Sequence, residues 1–298
     1  MHDSNPANPA PPDTGLNERN PPLPPFDNVR DTRFFYPSSV HGEALSRLLF
    51  LAEDGNMGIG MLTGEIGAGK TILRTVLHSR LDNRDHVRVS IENCLLDFDD
   101  LLLEIISQIR GERQYPQDYP DRYTRLAAFK KILSDEIVNN GKHLVILLDE
   151  AQQFEPRTLE AIKGLTNIAS ERQNFLTLIL IGQPELRSLV RRVPQVDQRI
   201  SLRYHLGALE PQDMRPYLEH RLHSAGWQGD CPFDPDAVQL LHQVSRGIPR
   251  EINRICKLAL EHALRNQQKR IRLAAIDAVV NDLRRHGGLF DAAVDTSS

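Results

Sequence analysis

Between about residues 34 and 207, short runs of consecutive apolar residues alternate with stretches in which apolar residues return every three or four positions. Continuous apolar runs suit strands buried on both faces, and the helical period suits helices laid over them, so the alternation predicts α/β architecture with a parallel sheet. Strands are expected at 59–63, 87–91, 144–148, 176–181 and 201–206. The strongest helical patterns cover 71–81, 98–109, 124–139 and 157–169, each apolar near i, i+3 and i+4. After Leu206 the strands stop and four helical segments follow, at 211–225, 234–246, 249–266 and 274–285. Pro211 and Pro249 occupy first helical positions, and Asp234 with Pro235 reads as a cap followed by the same device. The expected plan is a five-stranded α/β core over 34–207 and a separate all-helical domain over 208–286.

The two ends fall outside this plan. Residues 1–33 are crowded with proline and asparagine, PPLPP at 21–25 included, and are expected to form an extended or disordered tail. A solvated extension and a polyproline ligand are both open for it. Residues 287–298 turn small and acidic and are expected to be unstructured. MHDSNPANPAPP at the start lacks the basic and apolar regions of a secretory signal, and no apolar run approaches the roughly 18 residues of a membrane span.

Composition narrows the picture further. Hydrophobic content of 40% and charged content of 26% are those of an ordinary soluble chain. Cys94, Cys231 and Cys256 are odd in number and far apart, which argues against a disulfide framework and against a Cys-x-x-Cys knuckle and fits a reducing cytoplasm. The net charge of -4 gives no global attraction to nucleic acid. Locally, 265–285 is basic, as a solvated helix face or as a contact for DNA.

Candidate chemistry enters at Gly64-Glu65-Ile66-Gly67-Ala68-Gly69-Lys70-Thr71, which satisfies G-x-x-x-x-G-K-[ST] between an expected strand and an expected helix. Glycines let the backbone wrap a phosphate with its N–H groups inward, and the helix start, through Ile72, adds its positive dipole end. Lys70 supplies a charge for the outer phosphates of ATP, and the Thr71 hydroxyl suits Mg²⁺. The second element is HLVILLDE at 143–150, a buried strand ending in two carboxylates. Asp149 is expected to hold Mg²⁺ and Glu150 to activate the attacking water. An acidic pair opening a helix is the plainer alternative.

These motifs sit among FFYPSSVHGEALSRLLF (34–50), LLDEAQ (147–152), LILIGQPELRSL (178–189), QRISLRYHL (198–206) and GIPREINRIC (247–256). Together they resemble the AAA+ ATPases of the general secretion pathway protein A (ExeA/GspA) type, over about 34–285. The resemblance implies a P-loop NTPase, a three-layer RecA-like core with a C-terminal helical lid. It also implies site roles: Tyr36 and His41, with Glu43, near the base and ribose; Asn93 restraining Glu150; Gln183 as the sensor of the γ-phosphate or its water. That sensor departs from the usual Asn, Ser or Thr. The resemblance makes Arg199 the arginine finger given in trans, with Arg203 behind it, and Arg250 the second sensor that draws the lid onto ATP.

The function this implies is Mg²⁺-dependent ATP hydrolysis by a homo-oligomer that drives assembly of a secretion, pilus or exopolysaccharide apparatus. Secretion-type members often continue into a transmembrane segment and a peptidoglycan-binding domain, neither of which is found in these 298 residues. Membrane work is therefore expected to need a membrane-bound partner, with the chain cytoplasmic or peripheral at the inner membrane. Two other readings stand beside it: a DNA-binding transposition ATPase of similar core, and a nucleotide-gated interaction module with little turnover. His220 with His223 is expected to be a helix-surface pair.

Overall fold

The computed structural model describes residues 21–54, 57–92, 94–168 and 175–286. They divide into two units: Val29–Leu209, and the described residues through Asn28 together with those from Glu210 onward.

The first unit runs α1 (Ser39–Glu53), β1 (Ile59–Gly64), α2 (Lys70–Arg80), β2 (His86–Ile91), α3 (Phe98–Arg110), α4 (Arg122–Ile132), β3 (His143–Leu148), α5 (Pro156–Ile168), β4 (Leu176–Gly182), α6 (Glu185–Arg191), α7 (Pro194–Asp197) and β5 (Ile200–Leu206). The strands form one sheet in the order β2-β3-β4-β1-β5, and every pairing is parallel. In β3 the period of two is complete: Leu144, Ile146 and Leu148 enter the core built with α3 and α5, while Val145 and Leu147 enter the core built with α1 and α2. Burial on both faces is why that strand reads as an unbroken apolar run. β5, at the edge, alternates between partly buried and exposed residues instead.

All five strands lie where the apolar runs placed them, to within a residue. Three helices do not appear in that pattern: α1, α6 and α7. In α1, Gly42 and the serines at its start weaken helix propensity. Ser38 compensates by accepting from His41 N, and Ala44, Leu45, Leu48 and Leu51 are buried. The helix expected at 124–139 changes character at Leu133, where a π turn runs to Val138 and Asn139 N donates to Ser134 O.

The second unit contains α8 (Pro211–Ser224), α9 (Pro235–Ser245), α10 (Pro249–Arg265) and α11 (Leu273–Arg285). Pro211, Pro235 and Pro249 open their helices as expected. The Asp234 carboxylate, expected to cap α9, binds Arg270 instead.

The proline-rich stretch departs from the expected tail over residues 21–28. Phe26 is 2% exposed and meets Phe233 edge-on, ring centroids 5.8 Å apart. Leu23 N donates to Ala225 O, Arg221 Nε to Pro25 O at 2.7 Å, and Lys257 pairs with Asp27. An aromatic residue buries enough surface to hold a short strap, and prolines keep its unfolded entropy low. Phe34, the first residue of the expected core, is buried in the sheet unit. Residues 287–298 and the first 20 lie outside the described residues.

Candidate nucleotide site

Three groups of the residues singled out by sequence gather at one sheet edge: 64–72 at and after the end of β1, Asp149 and Glu150 after β3, and Gln183 after β4. The crevice outside the carboxyl ends of parallel strands is where such sheets take ligands. Because β4 lies between β1 and β3, loop and acids stand two strand spacings apart, about 9.5 Å. That gap leaves room for a phosphate and a water.

At the loop, Gly67 and Gly69 have φ of 82° and 98°, a region that glycine alone enters without steric cost. A Cβ on Gly69 would meet His41 Nε2 at 2.9 Å, and one on Gly64 would meet Leu206 O at 2.9 Å. Gly69 caps α2 without a side-chain hydrogen bond, so the first amides of the helix and its positive dipole end face an outside acceptor. Lys70 is 7% exposed, and its Nζ donates to Gly64 O at 2.7 Å and Glu65 O at 2.9 Å. A buried ammonium resting on carbonyl dipoles suits a polyanion. Glu65 and Ile66 are exposed at the crest, Ala68 is buried, and Ile72 packs against the core under α1 and α2.

The acids are held differently from one another. Burial raises the Asp149 carboxyl above its ordinary value, with Arg74 pulling the other way. Arg74 Nε lies 3.3 Å from Asp149 Oδ2, too poorly aligned for a hydrogen bond. The same guanidinium donates to Ser90 Oγ and to Glu92 Oε1, each at 2.7 Å. Cys94 Sγ donates to Asp149 O at 2.9 Å, and burial pushes its thiol up to about 12, which leaves it unreactive.

Glu150 adopts φ 56° and ψ 33°, a left-handed conformation that is strained for a residue with a Cβ. Its surroundings over-determine it. Glu150 N donates to Asp149 Oδ1 at 3.0 Å, Gln152 Nε2 to Glu150 Oε2 at 2.6 Å and Gln183 Nε2 to the same oxygen at 3.4 Å. Gln152 Oε1 also accepts from Gln183 N at 3.0 Å. Gln152 was not among the expected site residues. It reaches Glu150 only because of the backbone reversal between them, which has no signal in the residue pattern.

The donor set fits magnesium. Thr71 and Asp149 offer hard oxygens, and a buried carboxylate gains from a cation. Magnesium typically takes one or two carboxylates plus phosphates and waters, and among the described residues no three His, Cys, Asp or Glu side chains form a metal cage.

An AAA domain family profile matches residues 53–190. The chain is 37% identical over 242 residues to general secretion pathway protein A of Aeromonas hydrophila, across 80% of this chain and 42% of that protein. The chain is an AAA+ protein related to general secretion pathway protein A. It spans well under two thirds of that relative's length, and covers 65% of an uncharacterized HTH-type transcriptional regulator of Methanocaldococcus jannaschii, at 20% identity over 79% of this chain. In fold, the AAA+ chain is similar to the Aeropyrum pernix ORC2 protein in its ADPNP-ADP complexes, with TM-score 0.65, 19% identity, and coverage of 87% of this chain and 71% of that one. It is also similar to the Thermotoga maritima RuvB Holliday junction branch migration motor, with TM-score 0.53, 16% identity and coverage of 81% and 69%.

Other expected site residues of this AAA+ chain are placed as follows. Arg199 is exposed just before β5, at the amino edge of the sheet, and β5 carries the chain to Leu206 opposite Gly64. Seven strand residues separate it from its own loop by about 20 Å. Arg203 is tied to Asp197. His41 lies against the loop: its Nε2 meets Ala68 O at 2.9 Å and its Nδ1 meets Ser38 Oγ at 2.7 Å. Glu43 pairs with Arg47 and accepts from Tyr204 Oη. Tyr36 is half-buried in the segment before α1, and Arg250 is exposed in the first turn of α10, in the helical unit. Asn93 lies outside the described residues. No helix among the described residues is long and apolar enough to cross a membrane.

Proposed function

We propose that this AAA+ chain binds ATP with Mg²⁺ and hydrolyses it. The observation that carries the reading is the facing of two prepared groups across β4: a glycine loop with a buried Lys70, and Glu150 held by two glutamine amides. Lys70 and the amides of α2 bind the phosphates, while Thr71 and Asp149 hold the metal, which neutralises developing charge. Glu150 Oε2 takes a proton from the attacking water, with Gln152 and Gln183 fixing its direction. ADPNP and ADP in the ORC2 neighbour support adenine nucleotide as the ligand. Phosphate release should cease in Lys70→Ala and fall by about 10²- to 10⁴-fold in Glu150→Gln; release by Glu150→Gln at the wild-type rate would remove Glu150 from this role.

Arg199 is the finger of a homo-oligomer, completing a neighbour's site, since it cannot reach its own. Arg199→Ala chains mixed with Glu150→Gln chains should regain activity that neither has alone. Arg250 reports the γ-phosphate to the helical unit, and Tyr36 lies against the nucleoside. The relation to general secretion pathway protein A supports work on a secretion or pilus apparatus, with the chain cytoplasmic or held at the inner membrane by a partner.

A second reading, DNA binding, has one observation of its own. A cleft of about 800 Å³ in the helical unit has Lys269, Arg270, Arg272 and His262 in its lining, together with Asp230 and with Arg270 paired to Asp234. Gel shifts across salt separate the readings, because ATP-dependent retention with a steep salt slope belongs to DNA binding.

A further inference from the structure

Arg187 stands one helical turn beyond Gln183, on α6. Its Nε donates to Thr63 Oγ1 at 3.1 Å. Thr63 is fully buried, immediately precedes the phosphate loop, and shares its hydroxyl with His205 Nδ1 at 3.2 Å. Thr63 and His205 are register partners across β1 and β5. One buried oxygen therefore ties the last turns of two strands to a helix-borne guanidinium at the sheet's carboxyl edge.

The partner of that guanidinium is neutral. Arg30, Arg47, Arg74 and Arg203 in the same unit each meet a carboxylate, whereas among the described residues none lies within ion-pair distance of Arg187. The tether uses Nε and leaves the forked terminal nitrogens as donors, an arrangement that suits two phosphate oxygens. The charge of Arg187 is felt beside that of Lys70: the His205 imidazole is lowered by burial first, then by Arg187, with Glu65 opposing and Lys70 adding to the effect.

We propose that Arg187 is a second cation of the phosphate site, supplied by the same chain as Lys70, and that it recognises the terminal phosphate of a nucleoside triphosphate. The proposal rests on the reading of residues 64–71 as a nucleotide loop. Lys70 serves either nucleotide, and Arg187 makes the site prefer triphosphate to diphosphate.

The test is equilibrium titration of wild type, Arg187→Gln, Arg187→Lys and Lys70→Ala with a non-hydrolysable ATP analogue and with ADP, magnesium present. Gln keeps a donor for Thr63 and so preserves the tether while removing the charge. Arg187→Gln should weaken the triphosphate analogue by about ten- to a hundredfold and ADP by less than about threefold, and Arg187→Lys should recover part of the loss. Equal losses for both nucleotides, or no loss for either, would overturn the proposal while leaving the loop reading intact if Lys70→Ala abolishes binding. Wild-type binding by Lys70→Ala would overturn both.

Discussion

Arg74 and Arg221 are each 3% exposed, yet their surroundings have little in common. Arg74, on α2, reaches the ends of β2 and β3 and spreads its charge over Glu92 and Asp149. Arg221, on α8, faces backbone: it donates to the carbonyls of Pro25 and Asp27, and burial lowers its pKa. Taking a guanidinium out of water is expensive wherever it happens. In the sheet unit the return is an acidic residue, Asp149, kept in place for the metal role proposed for it. In the helical unit it is a strap held in place. A buried charge is thus not a functional signal until its partners are known.

The largest difference between the two regions should appear in turnover. Glu150→Gln should lower kcat by about 10²- to 10⁴-fold with thermal stability near wild type, whereas no variant of the strap should touch the chemical step so strongly. Next comes Arg74→Met, which leaves Asp149 buried without its countercharge. A loss of about 3–5 kcal/mol in denaturant unfolding is expected, together with altered magnesium dependence of nucleotide binding. Phe26→Ala should cost about 3 kcal/mol, read in the unfolding of the helical unit. Nucleotide affinity unchanged by Arg74→Met but reduced by Phe26→Ala would reverse the assignment of the two regions.

The smallest effect separates the units by pH. His143, at the start of β3, donates or accepts at Thr177 Oγ1, and burial lowers its imidazole to about 4. The folded chain therefore resists its protonation: the stability is full above the ordinary value near 6.5 and is lost as pH falls toward 4. Between pH 7 and 5 the sheet unit should lose about 2 kcal/mol, a slope that His143→Gln should flatten. Identical slopes for the two proteins would show that the imidazole titrates normally.

Sequence made the sheet legible because its strands are buried on both faces, which leaves unbroken runs such as LVILL at 144–148. The glycine loop was legible for a related reason, since Gly67 and Gly69 are there for their φ angles. What stayed hidden depends on relations that no local pattern carries. Gln152 becomes a site residue through the left-handed turn at Glu150. Residues 21–28 read as a solvated tail because their composition is that of one, and a lone Phe26 gives no period to announce its place against Phe233. His41 meets Ser38 and Ala68 through its two ring nitrogens, and that place under the loop is likewise a relation no local pattern carries.

The central claim is that the loop after β1 grips a triphosphate with its magnesium. Calorimetric titration of the purified chain with ATP and Mg²⁺ tests it most directly. The account predicts saturable heat in wild type that vanishes in Lys70→Ala; a folded wild-type chain that gives no heat, or a Lys70→Ala chain that gives the same heat, would contradict it.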